Sequence, residues 1–289
     1  MKQTVADIEQ RLAAADAEDF AVLERALAAD TRKGVIRALE RARHRLQAQK
    51  NERERVQRLY RFQQEAAAAA AAQVGSDGGA DATGVWITAV GLDEVGRGPL
   101  AGPLTIGAVV LPEAPQILGI NDSKQLSAAR REQLAAQIKD TALAWHIEHV
   151  PPQRIDEDGM SACLHAAFAA AVAAIDAQLR AAEAAGQVPA GIGAVQAVLI
   201  DGNPLHIDPR EAAIVKGDAR VAAISCASII AKVERDGLMR AYDARYPGYG
   251  FAANKGYGSA EHIAAIGRLG LSPIHRASFC QNFSQGTLF

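Results

Sequence analysis

The chain has 289 residues, which is long enough for one or two domains with a sizeable core. Its 31 Lys and Arg nearly balance its 33 Asp and Glu, and 49% of its residues are hydrophobic, which excludes a disordered polyelectrolyte. The three cysteines, Cys163, Cys226 and Cys280, are far apart in the chain and form no CxxC pair, which argues against a disulfide framework and a thiolate zinc site.

The chain start is not predicted to be a secretory signal. Acidic residues occur within the first ten positions, and no apolar segment typical of a secretory signal follows. No stretch reaches the roughly 18–20 apolar residues of a spanning helix without a charged or polar interruption. The sequence therefore predicts a cytoplasmic protein with no membrane partner.

Residues 1–73 predict a small, all-helical N-terminal extension, because apolar residues recur mostly at three- and four-residue steps. Residues 1–30 hold seven acids and three basic residues, whereas residues 31–62 hold eleven Lys and Arg against three acids, a net charge of +8. Two interpretations of this basic stretch stay open. It either adds phosphate contacts to a nucleic acid or forms a solvated helical face that packs on the catalytic domain.

A linker is predicted at 74–84, where glycines, Ser and Asp follow an alanine run. Short apolar runs typical of strands then occur at 85–92, 104–111, 142–150 and 194–200. Helical stretches lie at about 127–140, 160–185, 219–245 and 259–269. Two adjacent strands, followed by strands alternating with long helices, predict an α/β domain over 85–280 with a mixed sheet flanked by helices. Residues 281–289 form a C-terminal tail.

Four carboxylates end predicted strands or open a helix: Asp93, Glu94, Asp201 and Asp218. Each alone fits a surface turn or a helix cap, but ligands bind at the carboxyl ends of strands in such sheets. Neighbouring residues of a strand point to opposite faces, so Asp93 and Glu94 can reach one ion only if the strand ends or bulges there. Oxygen ligands without His or Cys favour a hard cation, Mg²⁺ or Mn²⁺.

Motifs along the chain resemble one family in its order. They are Leu92 to Pro103, Asn121-Asp-Ser-Lys124-Gln-Leu-Ser, Asp201-Gly-Asn203, Val215-Lys-Gly-Asp218, Ala227-Ser-Ile-Ile-Ala-Lys-Val-Glu-Arg-Asp236, Tyr246-Pro-Gly-Tyr-Gly-Phe251, Asn254-Lys-Gly-Tyr257-Gly and Ser272-Pro-Ile-His-Arg276. Together they look like bacterial ribonuclease HII over about residues 85–280.

The resemblance implies a ribonuclease H-like fold and an endonuclease that cuts the RNA strand of RNA/DNA hybrids. It also implies nicking at single ribonucleotides embedded in duplex DNA, as in ribonucleotide excision during DNA replication and repair, with 5′-phosphate and 3′-hydroxyl products. The catalytic acids and metal ligands would be Asp93, Glu94, Asp201 and Asp218. Such a set suffices for two ions, Mn²⁺ or Mg²⁺, that activate a water and stabilise the leaving alkoxide.

The same resemblance implies the substrate contacts. The turn Gly96-Arg97-Gly98 would grip the ribonucleotide, and Tyr257 would pack on its sugar. Glycines allow a close approach of the backbone, and the Arg97 guanidinium can bind a phosphate. Ser123 and Lys124 are expected to contact phosphates as well.

Three further positions carry expectations. Lys232 and Arg235 are predicted to lie on a solvated face of the long helix, and Cys226 in the same helix to serve packing. Ala277 stands where the resembled family has the second of two arginines, which would remove one phosphate contact.

The chain ends in Gln285-Gly-Thr-Leu288-Phe289, similar to the Gln-x-x-Leu-Phe peptides that dock on bacterial sliding clamps. Only three positions are fixed, so chance is a serious rival explanation.

Two alternatives to the overall function stay open. One is another nuclease of this fold, such as ribonuclease HIII or an integrase-like enzyme; the Gly-Arg-Gly turn and the helical extension argue against it. The other is a non-catalytic binder of RNA/DNA hybrids, which the presence of all four acids argues against.

Overall fold

The computed structural model describes residues 3–74 and 86–284, and these pack as two compact units that divide between Arg58 and Leu59. The predicted linker beyond residue 74 lies outside the described residues, as do Gln285, Leu288 and Phe289 of the clamp-like motif. The linker therefore stays a prediction.

The first unit is helical, as predicted. It contains α1 (Val5–Ala14), α2 (Ala17–Ala26) and the first part of α3 (Lys33–Gln73). A capping box begins α1, where the Thr4 side chain accepts from the Asp7 N–H and the Asp7 side chain accepts from the Thr4 N–H. The helices enclose their own small core of Ile8, Leu12, Phe20, Leu23, Val35 and neighbouring alanines.

The opposite charges of the two N-terminal stretches meet within this unit. Arg41 of α3 pairs with Glu9 at 3.0 Å, and Arg43 pairs with Glu24. Arg45 donates to the Ala15 carbonyl at 2.6 Å, just after the end of α1. Part of the charge of the basic stretch is therefore balanced by the acidic helices beside it.

The second unit is built on a five-stranded sheet. Its strands are β1 (Ala89–Val95), β2 (Leu104–Val110), β3 (Ala144–Val150), β4 (Ala197–Asp201) and β5 (Glu211–Ile214). The order across the sheet is β3-β2-β1-β4-β5; β1, β2 and β3 pair antiparallel, whereas β4 pairs parallel with both β1 and β5. The mixed sheet is confirmed. The sequence pattern does not predict β5, because its four residues, Glu-Ala-Ala-Ile, carry a single large apolar side chain.

The remaining helices surround this sheet. They are α4 (Ala128–Thr141), α5 (Pro152–Asp158), α6 (Met160–Ala184), α7 (Ala222–Arg245), α8 (Phe251–Asn254), α9 (Ala260–Leu269) and α10 (Gln281–Ser284). The four long helices agree with the predicted stretches to within a few residues, since their apolar periodicity is strong.

Two of these helices cover opposite faces of β1. Val90 and Leu92 point into the core formed with α6, whereas a Cβ added at Gly91 would lie 2.4 Å from backbone atoms of α7. The same holds on β2, where a Cβ at Gly107 would lie 2.3 Å from the Ala227 carbonyl oxygen. These two glycines let α7 approach the sheet closely, which brings its side chains to the end of β1.

Among the described residues, α6 is long and apolar enough to cross a membrane by length and composition alone. Its buried residues include Leu164, Phe168, Val172, Ile175 and Leu179, which share one face and pack in the core against the sheet. Burial against the sheet accounts for the apolar character of this helix.

The last part of α3 belongs to the second unit. The Gln63 side-chain oxygen accepts from the Ala223 N–H at 2.8 Å, in the first turn of α7. Gln64 bonds both backbone groups of Ile87, at 2.8 and 3.1 Å, just before β1. The helix therefore holds the chain that leads into the first strand and satisfies a free donor of α7.

Candidate active site

The strand β1 continues through both of its acids rather than ending before them. Asp93 is paired with Gly107 and Glu94 with Ile106 of β2. Because alternate residues face opposite sides, Asp93 points toward α7 and is 8% exposed, while Glu94 is partly buried. The predicted strand of 85–92 therefore begins too early and ends too early.

Two of the other acids lie beside this pair. β1 and β4 are parallel neighbours with Leu92 opposite Ile200, so the next residue of each strand, Asp93 and Asp201, stand at the same end of the sheet. Asp218 lies in a short 3₁₀ turn after β5, and the preceding Gly217 donates its N–H to the Asp201 carboxylate at 2.6 Å.

Burial and mutual repulsion shape the ionisation of this cluster. Burial raises the pKa of Asp93 to about 8, with added repulsion from Glu94 and Asp201 and an opposing hydrogen bond from Ser228. Burial also raises the pKa of Glu94, against the attraction of Arg97, and that of Asp218, where the charge of Asp201 adds to the effect. The four acids therefore interact electrostatically.

Among residues 3–74 and 86–284, no group of three or more His, Cys, Asp or Glu side chains is close enough together to hold a metal ion. The four candidate ligands are carboxylates, Asp93, Glu94, Asp201 and Asp218. Their chemistry fits a hard divalent cation: all the donors are oxygens, and positive charge would favour the ionised forms that burial disfavours.

Two serine side chains of α7 hydrogen-bond to acidic residues of this cluster. The Ser228 hydroxyl bonds Asp93 and lies 3.0 Å from the hydroxyl of Ser123, while the Ser225 hydroxyl donates to the Asp218 carbonyl. The sequence analysis assigned these serines no role. The available signal was their three-residue spacing, which puts two polar groups on one face of an apolar helix.

The predicted phosphate contacts lie on the loop before α4. Lys124 is exposed, and its charge acts to lower the pKa of Glu94 and Asp218, so its ammonium faces the acids. Ser123 is buried, and its hydroxyl is the one bonded to Ser228. Arg131 fixes this loop by donating to the Ser123 carbonyl at 2.8 Å.

The Gly-Arg-Gly turn combines one constrained glycine with one open position. Gly96 has φ +90°, and a Cβ there would lie 2.2 Å from the Arg235 Nε. At Gly98 an added Cβ would meet no atom within 4 Å. Arg97 between them is exposed, with its guanidinium 3.9 Å from the Glu94 carboxylate. The fold requires the first glycine and leaves open space at the second.

The prediction that Arg235 lies on a solvated face is wrong. Arg235 is 0% exposed, as is Arg276, and both lie beneath the Gly-Arg-Gly turn. Helical periodicity alone does not distinguish a buried arginine from a solvated one. Lys232 is partly buried and pairs with Asp236 at 2.8 Å. Cys226 is fully buried, as predicted.

Tyr257 is 47% exposed, and a chain of hydrogen bonds holds its backbone. The Ser272 N–H lies 2.8 Å from His275 Nδ1, the two Nε2 atoms of His275 and His262 lie 3.1 Å apart, and His262 Nδ1 lies 2.8 Å from the Tyr257 carbonyl. A backbone donor at one end and a backbone acceptor at the other set both tautomers. His275 donates to His262, His262 donates to Tyr257, and both imidazoles are neutral.

Comparison with known proteins gives the same family throughout the chain. A family model described as Ribonuclease HII matches residues 90–282, and one described as Ribonuclease HII N-terminal domain matches residues 4–67. Ribonuclease HII of Clostridium acetobutylicum is 38% identical over 288 residues, 98% of this chain and 97% of that protein. Ribonuclease HII of Laribacter hongkongensis is 49% identical over 192 residues, 65% of this chain and 89% of that protein.

Solved structures of similar fold agree. Ribonuclease H2 from Pyrococcus horikoshii OT3 has a TM-score of 0.54 at 25% identity, covering 69% of this chain and all of that one. The PCNA:RNase HII complex from Archaeoglobus fulgidus contains a chain with a TM-score of 0.54 at 23% identity, covering 69% and 98%. Bst-RNase HIII in complex with Mn²⁺ has a TM-score of 0.51 at 17% identity, covering 76% and 74%.

Proposed function

The chain belongs to the ribonuclease HII family and is an endoribonuclease that acts on RNA/DNA hybrids, and from this we propose that it also nicks duplex DNA at a single embedded ribonucleotide. The observation that carries the proposal is the position of Asp93 and Asp201 at one sheet end, next to a turn whose Gly98 faces open space. We propose that one ribose contacts both the turn and the acids.

We propose Asp93, Glu94, Asp201 and Asp218 as the catalytic acids and as ligands of two Mn²⁺ or Mg²⁺ ions. When bound by these acids, such ions would supply an activated water for in-line attack and charge stabilisation for the leaving alkoxide, and the proposed products are 5′-phosphate and 3′-hydroxyl ends. The chain's own contribution is to orient the acids. The Gly217 N–H fixes Asp201, and the Glu94 N–H, at 2.7 Å, fixes one oxygen of Asp93.

The proposed recognition of the substrate rests on the 2′-hydroxyl that distinguishes RNA from DNA. Backbone groups of Gly96-Arg97-Gly98 contact the ribonucleotide, because the open side of Gly98 lets them approach the sugar. Tyr257 packs its exposed ring on that sugar. Phosphates are bound by Arg97 and by the loop of Ser123 and Lys124, where Lys124 supplies the exposed charge.

The N-terminal unit is proposed to add phosphate contacts that do not depend on sequence. The ion pairs with the acidic helices of the same unit reduce its available charge. Arg37, Arg53 and Arg58 are nevertheless exposed on α3 and are proposed as phosphate contacts.

Docking on a sliding clamp is proposed through Gln285, Leu288 and Phe289. The archaeal structure of similar fold that contains PCNA is one reason to test it. A pulldown with purified bacterial clamp should retain the intact chain and lose a chain that lacks Leu288 and Phe289. Equal retention of both would refute the motif.

The central test uses duplex DNA with one ribonucleotide, incubated with Mg²⁺ or Mn²⁺. The parent protein should cut at the ribonucleotide and leave an all-DNA duplex intact, and Asp93→Asn should not cut. Asp176→Asn is the matched control: Asp176 is a largely buried aspartate that pairs with Arg210, outside the acid cluster, and this variant should still cut. No cut by the parent, or equal cutting by Asp93→Asn, would refute the assignment.

A further inference from the structure

Two fully buried arginines lie under the surface that is proposed to bind the ribose. Arg235 comes from α7, and Arg276 from the segment after α9. Among the described residues, neither guanidinium has an Asp or Glu oxygen within 4.0 Å, and the hydrogen bonds of both go to backbone carbonyls. Such an arrangement is unusual, because a buried charge is normally paired with an opposite one.

Arg276 holds the Gly-Arg-Gly turn directly. Its Nη2 donates to the Gly96 carbonyl at 2.6 Å, and its Nη1 donates to the Arg97 carbonyl at 3.0 Å. Its Nε and Nη2 both donate to the Gly102 carbonyl, at 3.1 and 2.9 Å. One planar guanidinium thus fixes two carbonyls of the turn and a third just after it.

Arg235 links the segment that follows the turn, 101–103, to the loop of Tyr257, and its Nε lies where a Cβ at Gly96 would be 2.2 Å away. Its Nε donates to the Pro103 carbonyl at 2.9 Å and its Nη2 to the Ala101 carbonyl at 3.1 Å, while its Nη1 donates to the Lys255 carbonyl at 2.9 Å. Tyr257 follows Lys255 by two residues. The chain just after the turn and the chain just before Tyr257 are therefore held by a single side chain, which packs against Gly96 of the turn.

Backbone bonds complete the connection. The Leu100 N–H donates to the Gly256 carbonyl, the Arg276 N–H donates to the Leu100 carbonyl, and the Gly102 N–H donates to the Ile274 carbonyl, each at 2.8 Å. Three segments that are distant in sequence thereby form one layer around the two guanidinium groups.

Burial is unfavourable for both groups. Desolvation lowers the pKa of Arg276 to about 10, with repulsion from Arg235 adding to the effect, and desolvation also lowers the pKa of Arg235. Apolar side chains of similar volume commonly replace buried charges without loss of stability. An apolar side chain donates no hydrogen bond and cannot orient a carbonyl group. A planar guanidinium donates several hydrogen bonds in fixed directions and can therefore orient the turn.

We propose that Arg235 and Arg276 are positioning residues that hold the Gly-Arg-Gly turn and the Tyr257 loop as one rigid surface, so that discrimination between ribose and deoxyribose depends on them. This inference rests on the proposed function, in which that surface contacts the 2′-hydroxyl. Neither arginine touches the substrate.

The test measures binding in the Asp93→Asn protein, which is expected not to cut. Affinity for a duplex with one ribonucleotide is compared with affinity for the same duplex without it. Arg276→Lys and Arg235→Lys keep the positive charge but lose the planar guanidinium and its several N–H donors. Arg210→Lys is the matched control. Arg210 is also a partly buried arginine that binds a backbone carbonyl, Val195 O at 2.7 Å, but it lies next to the opposite end of β5 from the acids.

The ratio of the two affinities should fall about tenfold or more in Arg276→Lys and Arg235→Lys, because small misplacements of a binding surface have effects of this order or larger. Affinity for the all-DNA duplex should change little, and Arg210→Lys should keep the parental ratio. Melting temperatures identify variants that have unfolded. For such a variant Arg→Gln, which retains a donor, replaces Arg→Lys.

A parental ratio in folded Arg276→Lys and Arg235→Lys variants would overturn the inference and leave the proposed function intact. An equal loss of ratio in Arg210→Lys would also overturn it, since the effect would then be general loosening of the fold. If the Asp93→Asn protein itself binds both duplexes equally, the proposed recognition of the ribonucleotide is wrong, and the inference is then wrong as well.

Discussion

The two glycines of the Gly-Arg-Gly turn should respond differently to alanine. At Gly98 an added Cβ meets no atom within 4 Å, and the backbone lies outside the left-handed region that disfavours side chains. At Gly96 the backbone has φ +90°, and the Cβ would lie 2.2 Å from the Arg235 Nε and 2.7 Å from the Pro103 carbonyl oxygen. The prediction is that Gly98→Ala impairs substrate binding and Gly96→Ala impairs the fold.

The magnitudes follow from these contacts. Gly98→Ala should leave stability unchanged or raise it by about 0.4–1 kcal/mol, because alanine restricts the unfolded chain. Gly96→Ala should lower stability by about 2–4 kcal/mol, from backbone strain of roughly 1–2 kcal/mol together with displacement of the buried Arg235. The added methyl of Gly98→Ala occupies the space proposed for the ribose, so kcat/KM should fall about 10- to 100-fold.

The assay combines denaturant unfolding of each variant with initial rates of cleavage on a duplex that contains one ribonucleotide. Parental kcat/KM in Gly98→Ala would refute the idea that the ribose approaches this side of the turn. A loss of several kcal/mol in Gly98→Ala would contradict the open space at Gly98 itself.

Three further predictions concern charge. Burial raises the folded-state pKa of Asp93 to about 8, so the free energy of unfolding, measured with a chelator present, should fall as pH rises from about 4 to 8. Asp93→Asn should remove part of this fall, and the same pH dependence in the parent and the variant would contradict the prediction. Burial lowers the pKa of His275 from 6.5 to about 4. The stability that the neutral His275 contributes is therefore complete above pH 6.5 and is lost as pH falls toward 4, by at most about 1.4 kcal/mol per pH unit. The stability difference between the parent and His275→Gln should therefore shrink between pH 7 and 5, and a constant difference would count against the neutral histidine pair. Replacing Arg37, Arg53 and Arg58 together by Ser should weaken hybrid binding and reduce its log–log salt slope by roughly 2–3, whereas an unchanged slope would favour the packing interpretation of α3.

Composition and packing place the end of the N-terminal part of the chain at different residues. Composition predicts a linker at 74–84, whereas packing divides the described chain between Arg58 and Leu59. The reason lies in single contacts of α3, such as Tyr60, whose hydroxyl accepts from the Ile117 N–H at 3.2 Å. A continuous helical pattern gives no sign of where the partners of a helix change.

The limits of β1 were less predictable than those of the long helices for a related reason. α6 and α7 carry long apolar stripes, and their bounds agree with the sequence to within three residues. β1 was displaced by several residues, because its pairing with β2 extends past the apolar run and includes both acids. Hydrogen bonding to a neighbouring strand sets the end of a strand, and the neighbour is a tertiary contact.

The sequence by itself determined the periodicity of the elements, the four acids, and the motifs that identify the family. These properties are local, since they depend on residue type and short-range spacing. Tertiary structure alone decided that Arg235 and Arg276 are buried, because their acceptors lie up to 134 and 180 residues away along the chain. The environment of a charged side chain is set by the segments that fold around it, and no spacing within one helix contains that information.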